Sequence, residues 1–171
     1  MIIETERLFM RELTQDDYES LCMILQDPAV MYAYEGPFRD DEVQAWIDRQ
    51  FHRYETDGFG LWAVVLKDSG EMIGQCGITM QEYGGGQVPE IGYLFQKAYW
   101  HHGYASEAAV ACREYAFTHL GVETVYSIIR DTNIPSQNVA KRNGMTCVAH
   151  LVKRYRGVDM PHLLFAVTKP D

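Results

Sequence analysis

The sequence predicts a layered α/β (α+β) fold spanning residues 1–171 as one domain, built from about seven strands and about four helices. Three observations carry that prediction. Strand-type segments alternate with segments of helical period. Two hairpin turns, Asp68-Ser69-Gly70 and Arg156-Gly157, punctuate apolar runs. A strand-type run, Val88 to Phe95, passes through a short loop at Gly103 into an Ala-rich helical stretch from Ala105 to about Leu120.

The elements follow in order. Leu8 to Leu13 reads as a strand, and Thr14 as an N-cap ahead of a helix from Gln15 to Gln26, with Asp16 and Asp17 in its first turn. Ala29 to Phe38 is an irregular, aromatic-rich link. A second helix begins at Asp40 or Asp41, presents Val43, Trp46, Ile47, Gln50, Phe51 and Tyr54 on one face, and ends at Asp57-Gly58. Phe59 to Lys67 and Glu71 to Gln81 form a hairpin, and Gly84-Gly85-Gly86 reads as a surface turn, with a flexible lid as the alternative. After the strand, loop and helix around Gly103 come a strand from Thr124 to Arg130, a loop and short helix within 131–144, and a hairpin of Met145 to Tyr155 with Val158 to Thr168.

Composition narrows the function classes. The 15 basic against 24 acidic residues give a formal charge of −9, which disfavours nucleic acid and anionic membrane as partners. An acidic field serves solubility and would attract cationic substrates. Cys22, Cys76, Cys112 and Cys147 are widely scattered, without metal spacing or a disulfide framework, so reduced thiols in a cytoplasmic protein are expected and no metal is. No signal-peptide pattern opens the chain, and no apolar run approaches membrane-spanning length.

The turn from strand to helix at Gly103 leaves the first N–H groups of the helix without internal partners, at the positive end of its dipole. Such a terminus suits a pyrophosphate, and Gly103 lets the backbone approach it closely. The stretch has neither the three spaced glycines of a dinucleotide fingerprint nor the Gly-Lys-Ser/Thr of a triphosphate loop.

Taken with a second stretch, Asp131 to Met145, this loop resembles the GNAT superfamily of acyl-CoA-dependent N-acyltransferases. The closer likeness is to the branch that includes the ribosomal-protein N-terminal acetyltransferases. Trp100-His101-His102-Gly103-Tyr104-Ala105 fills the family's Gln/Arg-x-x-Gly-x-Gly/Ala loop and is followed by Ser106-Glu107-Ala108. Asn133, Ser136, Val139 and Arg142-Asn143-Gly144-Met145 match the branch's Asn-x-x-Ser-x-x-Val segment and its Lys-x-Gly-Phe ending. Trp100 and Met145 depart from the usual residues, but neither change removes a backbone N–H.

The resemblance implies a mostly antiparallel sheet flanked by helices, with a splayed strand pair receiving coenzyme A. It implies that Leu94, Phe95 and Gln96 offer backbone groups to the pantetheine arm, with the Leu94 N–H facing the thioester carbonyl, a contribution of about 3 kcal/mol to lowering the barrier. His101, His102, Gly103, Tyr104, Ala105 and Ser106 would hold the pyrophosphate. Glu90 is the candidate base, against a strand carboxylate paired with a basic neighbour. Ser136 either protonates the departing thiolate or caps a helix. Asn133 would bond the pantetheine arm or its own backbone. Tyr32, Tyr34, Glu35 and Trp62 are candidates for the acceptor pocket, with core packing as the alternative. Lys153-Arg154-Tyr155-Arg156 reads as a solvated turn.

Two functions from different classes fit these implications: an acetyl-CoA-dependent N-acetyltransferase for a peptide or small-molecule primary amine, and a non-catalytic coenzyme A-binding sensor. The presence of both Glu90 and Ser136 favours the enzyme. The resemblance also leaves room for a homodimer.

Overall fold

A computed structural model describes all residues, 1–171, and its strands form one sheet in the order β1-β2-β3-β4-β5-β6-β8-β7. The first strands are β1 (Ile3–Glu4) and β2 (Leu8–Glu12), and the first helices α1 (Tyr18–Leu25), α2 (Pro28–Met31) and α3 (Asp40–Thr56). The middle of the sheet is β3 (Leu61–Leu66), β4 (Met72–Tyr83) and β5 (Gly86–Phe95), followed by α4 (Tyr104–His119). The chain then makes β6 (Thr124–Arg130), α5 (Ile134–Arg142), β7 (Thr146–Tyr155) and β8 (Val158–Thr168). The eighth strand is the short β1, which pairs with Met10 and Phe9 of β2. The aromatic link is not wholly irregular: Asp27 caps α2 through its carboxylate, with Pro28 in the first turn. The triple glycine becomes a two-residue hairpin turn, with Gly84 and Gly85 at positive φ and Gly86 already paired with Tyr83.

Strand alternation divides the core into two layers. Trp62, Val64, Cys76, Ile91 and Phe95 pack beneath α4 and α5 on one face, with Ala108, Ala109, Cys112 and Ala116 letting α4 lie close to the sheet. Leu61, Ala63 and Val65 pack on the other face with Val43, Trp46 and Ile47 of α3 and Leu21, Ile24 and Leu25 of α1.

Every adjacent strand pair is antiparallel except β5 and β6. That parallel pair joins at one register position, Glu90 with Tyr126, and the strands then part. The splay lies at the C-terminal ends of both strands, where α4 and α5 begin beside it.

Candidate active site

The splay is walled by the chain itself. The Ile128 N–H donates to Glu90 Oε2 at 2.6 Å, and the Ser127 hydroxyl donates to the Ile91 carbonyl at 2.7 Å. On the α5 side the Tyr93 hydroxyl donates to the Ser136 carbonyl at 2.6 Å. A cavity of about 340 Å³ occupies this gap. It reaches Asn133 and Ser136 beneath one face of the sheet and Tyr34, Trp46 and Arg53 of the helical layer on the other. The sheet is thus open from face to face at this point, and Glu90 lies where the two sides meet.

Ladder parity decides which backbone groups face the gap. The Gln96 N–H bonds the Ile73 carbonyl of β4, and Leu94 stands two residues back in the same register, opposite Gln75. Antiparallel pairing alternates strictly, so Leu94 also turns its N–H toward β4, while Tyr93 and Phe95 turn theirs toward the splay. This corrects the expectation for Leu94 and Gln96: Leu94 contributes its side chain to the cavity wall, and Gln96 is buried with its amide on the Met72 carbonyl. Phe95 remains a backbone candidate through its N–H; its carbonyl is taken by the Trp100 indole at 3.0 Å. That bond gives the unusual tryptophan of the loop a structural task, holding the loop against the end of β5.

The α4 terminus has the geometry of an anion cradle. Gly103 caps the helix in the left-handed region at φ 80°, without any side-chain cap, and His101 precedes it at φ 67°. The first helical bond runs from the Glu107 N–H to the Gly103 carbonyl, so the N–H groups of Tyr104, Ala105 and Ser106 come before it and are free to bind an anion. Arg7 was not singled out in the sequence, yet it braces this loop. Its guanidinium donates to the His102 carbonyl at 2.9 Å, lies 4.4 Å from the centre of the Tyr104 ring, and pairs with Glu107 at 2.7 Å. Thr5 and the Arg7 N–H also bond Glu107, so the one carboxylate in the first turn is fully engaged. The opening Thr-Glu-Arg segment therefore serves the loop 100 residues away.

Glu90 is half-buried in the cavity wall. Loss of hydration pushes its carboxyl up to about 7, against the opposing pull of Lys153, the Ile128 N–H and Arg53. A carboxyl near neutrality suits a general base at physiological pH. His162 also lines the cavity, its pKa lowered by burial and by Lys153 and Arg130, with Nδ1 2.8 Å from the Met160 carbonyl.

At α5, Asn133 is the N-cap, its side-chain oxygen accepting from the Ser136 N–H at 3.2 Å. Ser136 is therefore not the cap, and its hydroxyl is free at the cavity. The capping bond fixes the orientation of the Asn133 amide and leaves its nitrogen and the second lone pair of its oxygen for a ligand.

The four acceptor-pocket candidates separate. Tyr34 lines the cavity, 5.4 Å from Tyr155 between ring centres. Tyr32 and Glu35 stand outside the wall and hold Arg130, which donates to the Tyr32 carbonyl at 2.9 Å and pairs with Glu35 at 3.2 Å. Trp62 is fully buried on the opposite face against Tyr115, so it is core and cannot meet an acceptor. The basic cluster near the last turn also divides by strand parity. Lys153 and Tyr155 face the cavity, while Arg154 faces out beside Asp159 and Arg156 pairs with Glu42.

Comparison with known proteins identifies the family and the fold. Residues 7–146 match the family described as the Acetyltransferase (GNAT) domain. The chain is 34% identical over 158 residues to YkkB of Bacillus subtilis, covering 92% of this chain and 90% of that protein. It is also 34% identical over 146 residues to the B. subtilis N-acetyltransferase YnaD, covering 85% and 82%. The crystal structure of an acetyltransferase from Agrobacterium tumefaciens superposes with a TM-score of 0.82 at 29% identity, covering 98% of this chain and 94% of that one. With that match spanning most of its length and this sheet around its site, the chain belongs to the GNAT family and is an N-acetyltransferase.

Proposed function

We propose that this N-acetyltransferase carries an acetyl group from acetyl-CoA directly to a primary amine, with both substrates bound together. The observation that carries the reading is the cavity that passes through the sheet at the β5–β6 splay, because it gives donor and acceptor separate approaches to Glu90. The residues fit the coenzyme. The uncapped α4 terminus, braced by Arg7, accepts the pyrophosphate, and the backbone of Tyr93 and Phe95 offers strand-like bonds to the pantetheine arm.

In this reading Glu90 takes the ammonium proton, directly or through one water, and the neutral amine attacks the thioester carbon. An N–H of Tyr93 or Phe95 stabilises the oxyanion. The Ser136 hydroxyl supplies a proton to the departing thiolate and is reprotonated by the second proton that the acylated nitrogen gives up, so the products are the N-acetyl amide, free coenzyme A thiol and protonated Glu90. Thiol release from acetyl-CoA in the presence of amines tests the reading, with coenzyme A binding followed by calorimetry. Turnover that collapses in Glu90→Gln while the coenzyme still binds supports it, and a protein that binds no coenzyme A overturns it.

A further inference from the structure

The acceptor side of the cavity carries the opposite sign to the chain as a whole. Against a formal charge of −9, Arg49 and Arg53 of α3 and Lys153 of β7 line it, with Arg130 at its edge and Glu90 as the one carboxylate. Arg130 has Glu35 as its partner. Arg49, Arg53 and Lys153 form no ion pair, although acidic residues outnumber basic ones across the chain. Arg49 and Arg53 are one helical turn apart, a like-charge spacing that destabilises a helix. Burial and Arg49 both lower the Arg53 pKa.

The unpaired polar atoms of the cavity have the same character. Trp46 Nε1 can only donate, and it donates to Gln75 Oε1 at 2.9 Å. That fixes the amide orientation and leaves Gln75 Nε2 as a buried donor without an acceptor, on a side chain wholly removed from solvent. Arg130 Nε is buried and unpartnered too. Both unpaired atoms are donors, and a buried donor left unmade is costly. The cations do not belong to the pyrophosphate cradle, because no residue of the loop from Trp100 to Glu107 lines this cavity.

We infer that the acceptor is a small amine bearing its own anionic group, a carboxylate or a phosphate, held by Arg49, Arg53 and Lys153 with its nitrogen toward Glu90. The inference rests on the acetyl-transfer reading above and names its substrate class. Guanidinium groups match both oxyanions through paired N–H donors. The cavity, at about 340 Å³, suits a small molecule. The same cations disfavour the ammonium form of the amine beside them, and so help it lose its proton before attack.

The test uses matched amine pairs with acetyl-CoA and purified protein. Amino acids are compared with their amides, O-phosphoethanolamine with ethanolamine, and an acidic peptide with spermidine. The expected result is a kcat/KM at least tenfold higher for the anionic member of one small-molecule pair, carried by KM. The carboxylate and phosphate arms tell which group is used. Arg53→Gln and Arg49→Gln should raise that KM tenfold or more while the coenzyme A Kd, read by calorimetry, stays unchanged. Equal use of neutral partners, preference for spermidine or for the peptide, or no transfer to any anionic amine by a protein that binds coenzyme A overturns this inference alone. Failure to bind coenzyme A overturns the acetyl-transfer reading and this inference with it.

Discussion

The Glu90 carboxylate closes the gap between β5 and β6 by accepting the Ile128 N–H at 2.6 Å, two residues beyond Tyr126, where those strands pair. A side chain here does what a backbone carbonyl does elsewhere in the sheet. It leaves the other carboxylate oxygen for chemistry and fixes the group in a poorly hydrated wall. Its pKa near 7 follows from that position.

As the proposed base, Glu90 should set the acid limb of activity. For the native protein, kcat/KM should fall tenfold per pH unit below about 7 and level off between 7 and the pKa of the amine. In Glu90→Gln only the small neutral amine fraction reacts, so the plateau should be replaced by a continuous rise with pH. Initial rates from pH 5.5 to 9.5 check this. An unchanged limb in the variant would remove Glu90 from the proton path.

The same shift predicts a stability cost at neutral pH. The carboxyl titrates near 4.5 unfolded and near 7 folded, so between those values the folded state binds more protons and stability falls as pH rises. Below pH 4.5 the group contributes nothing. Above 7 the full cost applies, at most about 3 kcal/mol and reduced by water at the cavity mouth. Glu90→Gln keeps an acceptor for the Ile128 N–H and avoids the charge. It should unfold at higher denaturant than the native protein at pH 8, with the difference gone at pH 4.

In the proposed mechanism Asn133 and Ser136 separate capping from chemistry on one helix turn. Asn133→Ala removes the cap and should cost about 1 kcal/mol of stability. Ser136→Ala leaves the cap intact, since Asn133 Oδ1 bonds the Ser136 N–H and not its hydroxyl. It should lower kcat by about 10²-fold with unchanged denaturation. Denaturant melts and steady-state kinetics on both variants check the assignment. Full activity in Ser136→Ala would give the thiolate proton another source.

What the sequence left unread was mainly parity. The order of strands and helices was legible because period and turn chemistry are local. So was the loop at Gly103, where one residue must sit at positive φ. The faces of buried strands were not. Leu61 to Leu66 is apolar throughout, so nothing in its pattern shows that Trp62 points to α4 while Leu61 and Ala63 point to α3. One position of parity also turns the Leu94 N–H toward β4 and those of Tyr93 and Phe95 toward the splay. The cations of the cavity were hidden for another reason: Arg49 and Arg53 resemble any solvated flank of an amphipathic helix until β7, from the far end of the chain, brings Lys153 beside them.

Trp62 and Arg7 test the two corrections in opposite ways. Trp62→Ala opens a cavity in the core under α4 and should cost about 3–5 kcal/mol of stability. The KM of the acceptor should not change at temperatures where the variant is folded, because its side chain lies on the far face of the sheet. Arg7→Met removes the donor to the His102 carbonyl and the cation on Glu107 Oε2, leaving an uncompensated carboxylate, still held through Oε1 by Thr5 and the backbone N–H, at the positive end of α4. That change should weaken coenzyme A binding several-fold with little loss of stability, since the Arg7 end of the pair is open to solvent. Calorimetric titration of coenzyme A into both variants checks the contrast. A weakened acceptor KM in Trp62→Ala, or an unaltered coenzyme affinity in Arg7→Met, would show that strand parity or the bracing of the loop has been misread.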